Sequence, residues 1–386
     1  MTESTDILIF GRGAYVIGNL STPPTILSAV LTSLRQLDVS NPRIVLLGKT
    51  SDASLQQKER VKALVNQFWG PNPIHICYDA CHEFRSHLYL GCYHRTVAIV
   101  SLPDQLHFRY LYELATLTIP TVCVKPVVTS LEHYDLLLST VSPHNTPIYI
   151  DFHKRLDPSF RYLKHFLAHD RPSYVESVDV FYSQPTFDLL TQVSQSSSTN
   201  IFQYLGVHFI DIISWLFDSR LASIDFHVYP QMDSGLPPVA PRIDAYCLWT
   251  QPDLTQFFST VSCRWSALPS TPIRSEQYFR VKTDKHDISI NLSDRGIHVL
   301  TNDSFSIPNP YFSSSVQSSH NPLISESIGY GHSIYYHFLA GALAFDPSTR
   351  AQHYSLLPSL QSVRESVQAC DVYNKRHSAT NDSSRV

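Results

Sequence analysis

The chain has 386 residues, a length that favours two folded units, because single domains usually hold roughly 100–200 residues. Apolar residues make up 43% and charged residues 16%, so the composition excludes a largely disordered chain. The formal net charge is −4 and no dense basic run occurs, which excludes nucleic acid as the expected partner. Glycine is scarce at 12 residues, so the positions where it does occur are informative.

The sequence offers no signal for export or membrane insertion. Its first residues lack a basic segment followed by an apolar one, and no run of about 18 apolar residues occurs. We therefore expect no membrane partner and a cytoplasmic location. Seven cysteines, an odd number without a Cys-x-x-Cys pair, favour buried free thiols over disulfides, and no metal site is expected.

Apolar strands alternate with helices in the first third of the chain. The predicted strands are 6–11, 43–48, 74–77, 96–101 and 121–125. The predicted helices begin near 21 or 22, and at 54–68 and 106–117. Buried strands that alternate with helices at this interval predict an α/β domain with a doubly wound parallel sheet of the Rossmann type, which we assign to residues 1–127.

The pattern changes after a helix at 131–139. Next come a strand at 147–152, a helix at 159–168, a strand at 174–182 and an apolar helix at 202–217. Six strands then follow in succession, at 224–229, 243–249, 255–265, 276–282, 288–292 and 296–300. Strands without intervening helices predict a mostly antiparallel sheet and an α+β domain over residues 128–376. A loop at 304–327, helices at 333–343 and 357–375 and a flexible tail at 377–386 complete the prediction.

A glycine-rich segment follows the first predicted strand. Gly11 and Gly13 stand where a dinucleotide fold needs a sharp turn and close approach to a pyrophosphate, because a Cβ would collide there. Val16 occupies the third fingerprint position, so we expect a wider loop in which Gly18 makes a later turn. An ordinary strand-end turn is the alternative. The predicted cofactor-binding residues of this loop are Gly11, Gly13, Ala14, Tyr15 and Val16.

Polar residues at further strand ends extend the predicted cofactor site. Lys49, Thr50 and Ser51 suit a 2′-phosphate, which favours NADP over NAD, and a solvated polar turn is the alternative. Lys125 ends a buried strand, where its ammonium can hydrogen-bond a reacting oxygen, and a lysine whose tip reaches water is the alternative. The remaining predicted cofactor contacts are Leu102, Pro103, His107, Lys125 and Pro126.

A histidine with polar neighbours lies on the apolar helix at 202–217. Tyr204 and His208 are four residues apart and share one helix face, and Asp211 is three residues further on. An imidazole, with an ordinary pKa of about 6.5, is suited to take a proton from a hydroxyl. A buried structural histidine is the alternative. We predict His208 as catalytic, with Tyr204 and Asp211 in support.

Three consecutive basic residues follow the strand at 147–152. His153, Lys154 and Arg155 suit an anionic or heavily hydroxylated ligand, and a solvated strand end is the alternative. On the first reading these three residues belong to the substrate site.

Taken in order, these segments resemble the Gfo/Idh/MocA family of NAD(P)-dependent oxidoreductases, which includes glucose-fructose oxidoreductase and inositol dehydrogenase. The resemblance is carried by the glycine loop, Pro103 and His107, Lys125-Pro126, Arg155 with Pro158, and Gly206-x-His208-x-x-Asp211. The sequence departs from the family at two positions. Val124 replaces the glutamate of Glu-Lys-Pro, and Tyr204 replaces an aspartate four residues before the histidine.

The resemblance implies an enzyme that moves hydride between a nicotinamide and a carbinol or carbonyl carbon of a sugar, cyclitol or related polyhydroxylated substrate. It implies that Lys125 polarises the reacting oxygen, that His208 moves the proton, and that Asn200, Tyr204 and His208 join residues 153–155 at the substrate. A homo-oligomer, dimeric or tetrameric, is expected. Two alternatives stay open: a cofactor-binding sensor or scaffold without hydride transfer, and an enzyme that uses bound NAD(P) transiently for elimination, epimerisation or glycoside cleavage.

Overall fold

A computed structural model describes residues 5–382, apart from 20–22, 89–94, 143–145, 186–199, 230–241, 268–274, 301–304, 308, 310, 320 and 345. The predicted helix start at 21 or 22 and Cys92 lie outside the described residues. The chain divides into two compact units. Unit 1 contains residues 1–127, 135–156 and 310–361, and unit 2 contains residues 128–134, 157–309 and 362–386.

The described strands are numbered in chain order. They are β1 (Thr5–Phe10), β2 (Arg43–Gly48), β3 (His75–Ala80), β4 (Arg95–Val100), β5 (Thr121–Val124), β6 (Ile148–Asp151), β7 (Val175–Pro185), β8 (Arg220–Tyr229), β9 (Arg242–Thr250), β10 (Gln256–Ala267), β11 (Glu276–Thr283), β12 (Asp287–Asn291), β13 (Val299–Leu300), β14 (Phe305–Ser306), β15 (Ser314–Gln317) and β16 (Ser325–Ile328).

The described α-helices are numbered in the same way. They are α1 (Ala14–Ile17), α2 (Ile26–Gln36), α3 (Leu55–Phe68), α4 (Asp104–Thr116), α5 (Leu131–Val141), α6 (Pro158–His169), α7 (Val207–Phe217), α8 (Tyr330–Leu343), α9 (Pro347–Tyr354) and α10 (Arg364–Asp382). Short 3-10 turns span Cys81–His87, His153–Leu156 and Leu360–Val363, and a π turn spans Phe202–Gly206.

Six described strands of unit 1 form a parallel sheet in the order β3-β2-β1-β4-β5-β6. Every residue of β1 is buried, as are five of the six in β2, which explains why these segments are continuous apolar runs. The strand order reverses between β1 and β4, and sheets of this kind bind ligands at the carboxyl ends of the strands beside that reversal. The predicted Rossmann sheet is confirmed.

A local sequence signal accounts for the start of α3 in unit 1. At the start of α3, the Ser54 Oγ accepts a hydrogen bond from the Gln57 backbone N–H at 3.2 Å, while the Gln57 Oε1 accepts one from the Ser54 N–H at 3.1 Å. This reciprocal pair is a capping box. Helix α2 begins at Ile26, so Pro23 and Pro24 precede it and do not lie in its first turn. The apolar faces of α2 and α8 pack in one core with β1 and β2.

Unit 2 is built on a second sheet, in the order β12-β11-β7-β10-β9-β8. Strands β7 and β10 pair in parallel, and the other described neighbours pair antiparallel. Burial alternates along β11, so one face of the sheet carries the core. Phe160 on α6 packs edge-on against Phe279 of β11, with ring centroids 5.3 Å apart. The prediction of a mostly antiparallel α+β unit is confirmed.

The structure departs from the prediction in three places. Strand β6 pairs with β5 in the parallel sheet, so the parallel sheet continues beyond the predicted domain boundary at 127. The segment at 304–327 was predicted as a loop, but β14, β15 and most of β16 lie in it. These strands are short and rich in polar residues, so their sequence resembles that of a loop. Helix α10 continues to Asp382, into the predicted flexible tail at 377–386.

Among the described residues, no helix is both long and apolar enough to cross a membrane. Within the same ranges, no group of three or more His, Cys, Asp or Glu side chains is arranged to hold a metal ion. The six described cysteines are free thiols, and all but Cys77 are buried.

Candidate functional site

The glycine loop follows β1 at the carboxyl end of the parallel sheet. Gly11 has a φ of +119°, and a Cβ added there would lie 2.1 Å from the Ser101 carbonyl oxygen. Gly13 is exposed, and a Cβ added there would meet none of the described residues within 4 Å, its chain neighbours aside. The loop therefore passes tightly against β4 at Gly11 and leaves open space at Gly13, which fits the close approach of a pyrophosphate to backbone.

The remaining loop residues have different surroundings. Gly18 has a φ of 75° and ends α1, so the later turn predicted for it is confirmed. The Val16 side chain is fully buried in the core of unit 1, whereas Ala14 and Tyr15 are half-buried. The predicted cofactor contacts of this loop thus divide into residues at the surface and one residue, Val16, whose side chain packs inward.

The end of β2 is cationic. Lys49, Thr50 and Ser51 are all exposed, which fits a phosphate site and a solvated polar turn equally. Arg12, which the sequence reasoning missed, donates from Nη2 to the Thr50 carbonyl oxygen at 2.6 Å. A Cβ on Gly48 would lie 2.0 Å from the Arg12 guanidinium, so glycine at this position makes room for the arginine. The position of Arg12 between Gly11 and Gly13 is the sequence feature that could have predicted its place in the site.

The ends of β4 and β5 are joined by a buried histidine. His107 Nδ1 lies 2.8 Å from the Pro126 carbonyl oxygen, and its Nε2 lies 2.8 Å from the Leu102 carbonyl oxygen. The ring is fully buried, so His107 holds together two loops that carry predicted cofactor contacts. Pro103 is the N-cap of α4, and the Lys125-Pro126 peptide bond is cis.

A buried carboxylate at the end of β6 is the largest omission of the sequence reasoning. Asp151 is 2% exposed and pairs in register with Val124, the last residue of β5. Its Oδ2 accepts hydrogen bonds from the Tyr15 hydroxyl at 3.0 Å and the Tyr335 hydroxyl at 2.8 Å. Its Oδ1 lies 3.0 Å from His153 Nδ1. The available signal was an aspartate inside the otherwise apolar stretch 148–152.

The basic triplet lies in the 3-10 turn His153–Leu156 of unit 1. His153 is half-buried, and its ring contacts those of Phe312 and Tyr330 at centroid distances of 5.0 and 5.7 Å. Lys154 and Arg155 are only 2% and 8% exposed. The alternative prediction, that the basic triplet is a solvated strand end, is therefore wrong for Lys154 and Arg155, because both are buried.

The predicted polar cluster of unit 2 lies where the π turn Phe202–Gly206 meets α7. His208 and Asp211 are buried, and the half-buried Tyr204 ring stacks on Trp265 with centroids 5.5 Å apart. A Cβ on Gly206 would lie 3.0 Å from the Cys263 sulfur of β10, so glycine lets the turn pack closely on the sheet. Single π turns inside helices are frequent at functional sites.

Asn200 begins this helical segment and fixes its first turn. Its Oδ1 accepts a hydrogen bond from the Gln203 N–H at 2.9 Å. Gln203 in turn donates from Nε2 to the Asn374 Oδ1 of α10 at 2.9 Å. Asn200 therefore positions the segment that carries Tyr204 and His208.

The structure groups the predicted site residues by unit. Unit 1 gathers the glycine loop, Lys125 and His153 at the carboxyl ends of its strands, and unit 2 gathers Asn200, Tyr204, His208 and Asp211.

Comparison with known proteins finds a partial match to a curated protein and solved structures with a similar fold. No protein-family model matches the chain. A curated relative, the myo-inositol dehydrogenase Hyg17 of Streptomyces leeuwenhoekii, is 27% identical over 139 residues, a match that spans 35% of this chain and 40% of that protein.

Among solved structures, the myo-inositol 2-dehydrogenase of Lactobacillus plantarum has a TM-score of 0.65 at 11% identity, covering 96% of this chain and 95% of that one. The scyllo-inositol dehydrogenase of Lactobacillus casei, solved with NAD(H) and scyllo-inositol, has a TM-score of 0.60 at 12% identity, with coverage of 96% and 95%. The chain therefore has the fold of the Gfo/Idh/MocA oxidoreductases.

Proposed function

We propose that the chain is an NAD(P)-dependent oxidoreductase that interconverts a carbinol and a carbonyl group on a sugar, cyclitol or related polyhydroxylated compound. The observation that carries the proposal is the open space over Gly13 at the carboxyl end of β1, beside the reversal of strand order. Fold likeness to a scyllo-inositol dehydrogenase solved with NAD(H) and its substrate supports the cofactor and the substrate class.

The residues divide the chemistry among them. The nicotinamide, when bound, supplies the hydride acceptor or donor. Lys125 is proposed to donate a hydrogen bond to the reacting oxygen and to stabilise its negative charge. His208 is proposed to exchange the proton, with Tyr204 and Asp211 as neighbours on its helix. The proposed substrate-positioning residues are His153, Lys154, Arg155 and Asn200.

The cofactor proposal is tested first by binding. Purified protein is titrated with NAD⁺, NADH, NADP⁺ and NADPH, and the dissociation constants are measured by nucleotide fluorescence and calorimetry. Absorbance of the reduced nicotinamide is then followed with a panel of inositols and sugars. Binding of none of the four forms overturns the proposal. Binding without any absorbance change across the panel contradicts the oxidoreductase and directs product analysis toward elimination, epimerisation or glycoside cleavage.

NADP is the proposed preferred cofactor. Arg12 and Lys49 place cationic donors at the end of β2, beside Thr50, whose hydroxyl donates to the Asp52 carbonyl oxygen at 2.8 Å. Asp52, the carboxylate nearest in sequence, forms an ion pair of 2.7 Å with Lys58, and the hydrogen bond from Lys58 lowers the pKa of Asp52. A 2′-phosphate is bound by such donors, whereas an unpaired carboxylate would favour the ribose hydroxyls of NAD.

Arg12→Ala is therefore expected to weaken NADP binding by about 10-fold to 100-fold, since a hydrogen bond to a charged group contributes about 1.5–3 kcal/mol. NAD binding should change little, because NAD has no 2′-phosphate. Lys49→Ala should act in the same direction with a smaller effect. Lys62→Ala, on the exposed side of α3, is the matched control. If the ratio of the NADP and NAD dissociation constants is the same in Arg12→Ala and Lys49→Ala as in the wild type, these residues do not determine the choice between NADP and NAD.

A second copy of this chain is the proposed macromolecular partner, bound through the outer face of the unit 2 sheet. Tyr246, Phe258 and Tyr278 are 49%, 67% and 39% exposed on strands β9, β10 and β11. Exposed large apolar side chains grouped on one face mark interaction surfaces.

Buried free thiols support a reducing, cytoplasmic location for the protein.

Phe258→Arg is expected to raise the dimer dissociation constant at least about 30-fold, since a central aromatic of an interface contributes about 2 kcal/mol or more. Analytical ultracentrifugation over a concentration series measures it. Tyr162→Arg is the control, because Tyr162 is 71% exposed on α6, away from this face. A monomeric wild-type protein, or equal effects of both variants, contradicts the proposed interface.

A further inference from the structure

His107 lies in the first turn of α4 and is fully buried at the carboxyl edge of the parallel sheet. Its Nδ1 is 2.8 Å from the Pro126 carbonyl oxygen, and its Nε2 is 2.8 Å from the Leu102 carbonyl oxygen. A carbonyl oxygen only accepts hydrogen bonds, so each contact requires an N–H on the imidazole. A neutral imidazole has one N–H and an imidazolium has two. Both contacts are therefore hydrogen bonds only if His107 is protonated on both nitrogens.

The lengths of the two contacts fit a charged donor. Charge-assisted N–H···O hydrogen bonds are shorter than neutral ones, at about 2.7–2.9 Å against about 2.9–3.0 Å. In a neutral ring, the lone pair of one nitrogen would face the lone pairs of a carbonyl oxygen at 2.8 Å. Because the ring is fully buried, solvent would screen that repulsion only weakly. The geometry thus favours the imidazolium.

Carboxylates at this end of the sheet offset a buried cation. Burial raises the pKa of the Cys123 thiol on β5 well above its usual value, and the charges of Asp104 and Asp151 raise it further. The thiol is therefore neutral, and the two carboxylates make the potential at the end of β5 negative. Asp104 lies in the same helical turn as His107, where the helix dipole alone would disfavour a cation. Two hydrogen bonds and this negative potential replace the hydration that the imidazolium has lost.

The two carbonyl groups belong to loops that are proposed to contact the cofactor. Leu102 follows β4, and Pro126 follows Lys125, the proposed donor to the reacting oxygen. A cation that bridges these loops acts differently on the two forms of the cofactor, because the oxidised nicotinamide ring is positively charged and the reduced ring is neutral. Repulsion between like charges is stronger inside a protein than in water at the same distance. A positive charge on His107 therefore weakens binding of the oxidised form relative to the reduced form.

We propose that His107 is a buried imidazolium that links the ends of β4 and β5, and that its charge shifts the site toward binding reduced NAD(P)H over oxidised NAD(P)⁺. The first part concerns the protein alone. The second part rests on the proposed function and adds to it a preference between the two forms of one cofactor. Both forms of NADP carry the 2′-phosphate, so this preference is separate from the choice between NADP and NAD.

The protonation state is measured by NMR on ¹⁵N-histidine-labelled protein at neutral pH, without added cofactor. In an imidazolium both ring nitrogens carry protons and have similar chemical shifts, whereas in a neutral ring the two shifts differ widely. His107 is expected to have two protonated nitrogens. His332 is the internal control, because it is also buried and burial lowers its pKa to about 4, so its ring should be neutral. A single protonated nitrogen on His107 overturns the inference.

The His107 signal is identified by its loss in His107→Gln. If that variant does not fold, the signal is identified by elimination, with His208→Gln and His332→Gln. These two are the other histidines that are buried in the part of the chain that the structure describes. The wild-type spectrum then decides the protonation state without a folded His107 variant.

Binding measurements test the effect on the cofactor. His107→Gln removes the charge and keeps an amide donor, so the ratio of the NADP⁺ to the NADPH dissociation constant is expected to fall about 3-fold to 30-fold. Altered packing alone would weaken both forms equally and leave the ratio unchanged. Arg109→Gln is the matched control on α4, since it also removes one positive charge. The Arg109 side chain is 63% exposed, so solvent screens its charge and the ratio should not change.

An unchanged ratio in a folded His107→Gln protein, or an equal change in Arg109→Gln, overturns the effect on the cofactor. The NAD⁺ to NADH ratio should change in the same direction, because the charge difference lies on the nicotinamide. If the wild type binds no nucleotide, the proposed function fails and the cofactor preference fails with it. The ¹⁵N measurement still decides whether His107 is charged.

Discussion

Gly11→Ala is expected to unfold unit 1 or to prevent its folding, whereas Gly13→Ala, two residues away, is expected to fold normally and to lose cofactor binding. The two glycines flank a single residue of the same loop, yet the space around them differs. The pair therefore separates the structural role of the loop from its proposed binding role.

The cost at position 11 has two sources. The φ of +119° strains any residue that has a Cβ, which costs about 1–3 kcal/mol. The added methyl group would also lie 2.1 Å from the Ser101 carbonyl oxygen, which is backbone and adjoins β4, and overpacking of this kind costs about 1–3 kcal/mol. The sum of about 2–6 kcal/mol is a large fraction of a typical domain stability of about 5–15 kcal/mol, and at its upper end it equals the whole stability of a domain at the bottom of that range.

Position 13 carries neither cost. Gly13 has a φ of −77°, which alanine adopts readily, and beyond its chain neighbours no described residue lies within 4 Å of an added Cβ. The free energy of unfolding should stay level or rise by about 0.4–1 kcal/mol, because alanine restricts the unfolded chain. The new methyl group would occupy the space proposed for the pyrophosphate, so the cofactor dissociation constant should rise at least about 10-fold.

Urea unfolding followed by circular dichroism measures the first effect, and calorimetric titration with NADP⁺ and NAD⁺ measures the second. Gly296→Ala provides a check on the strain at position 11, since Gly296 also has a positive φ but, in the part of the chain that the structure describes, no neighbour within 4 Å of its added Cβ. A stable Gly11→Ala protein would contradict the steric argument. A Gly13→Ala protein that binds either nucleotide as tightly as wild type would remove the pyrophosphate from this loop.

The parallel sheet was predictable because its strands are buried on both faces. Strands such as β1 and β2 are then continuous apolar runs, and their helical crossovers separate them clearly in sequence. Strand β6 was nevertheless assigned to the second domain, although it pairs with β5 in the parallel sheet. A short apolar run shows that a strand is buried, but its hydrogen-bond partner β5 is determined by tertiary packing.

The candidate site was predictable only where a residue has a local pattern. The glycines of the loop do, because turns and close approaches require them. Asp151 does not, since its partners Tyr15 and Tyr335 are 136 and 184 residues away in sequence. The family resemblance implies a glutamate at the position of Val124, but only the strand register places Asp151 beside that position.

Lys125→Met is expected to lower kcat by about 100-fold to 1000-fold, the loss that follows removal of a donor to a developing oxyanion. Methionine keeps an unbranched, largely apolar side chain and loses the ammonium, so packing at the end of β5 should be preserved. The dissociation constant of the cofactor should change less than about three-fold, because its other proposed contacts remain. Single-turnover absorbance at the reduced nicotinamide band, at saturating cofactor, measures the chemical step directly.

Two further variants show whether the loss reflects a catalytic role. Lys49→Met should give the opposite pattern, with weaker NADP binding and unchanged turnover at saturation, since Lys49 is exposed at the end of β2. His208→Gln should lower kcat as Lys125→Met does. If Lys125 and His208 act in one chemical step, the double variant should be no slower than the slower single variant, because groups that act together lose their effect together. Multiplicative losses would assign the two residues to separate steps, and unchanged turnover in both single variants would remove them from the mechanism.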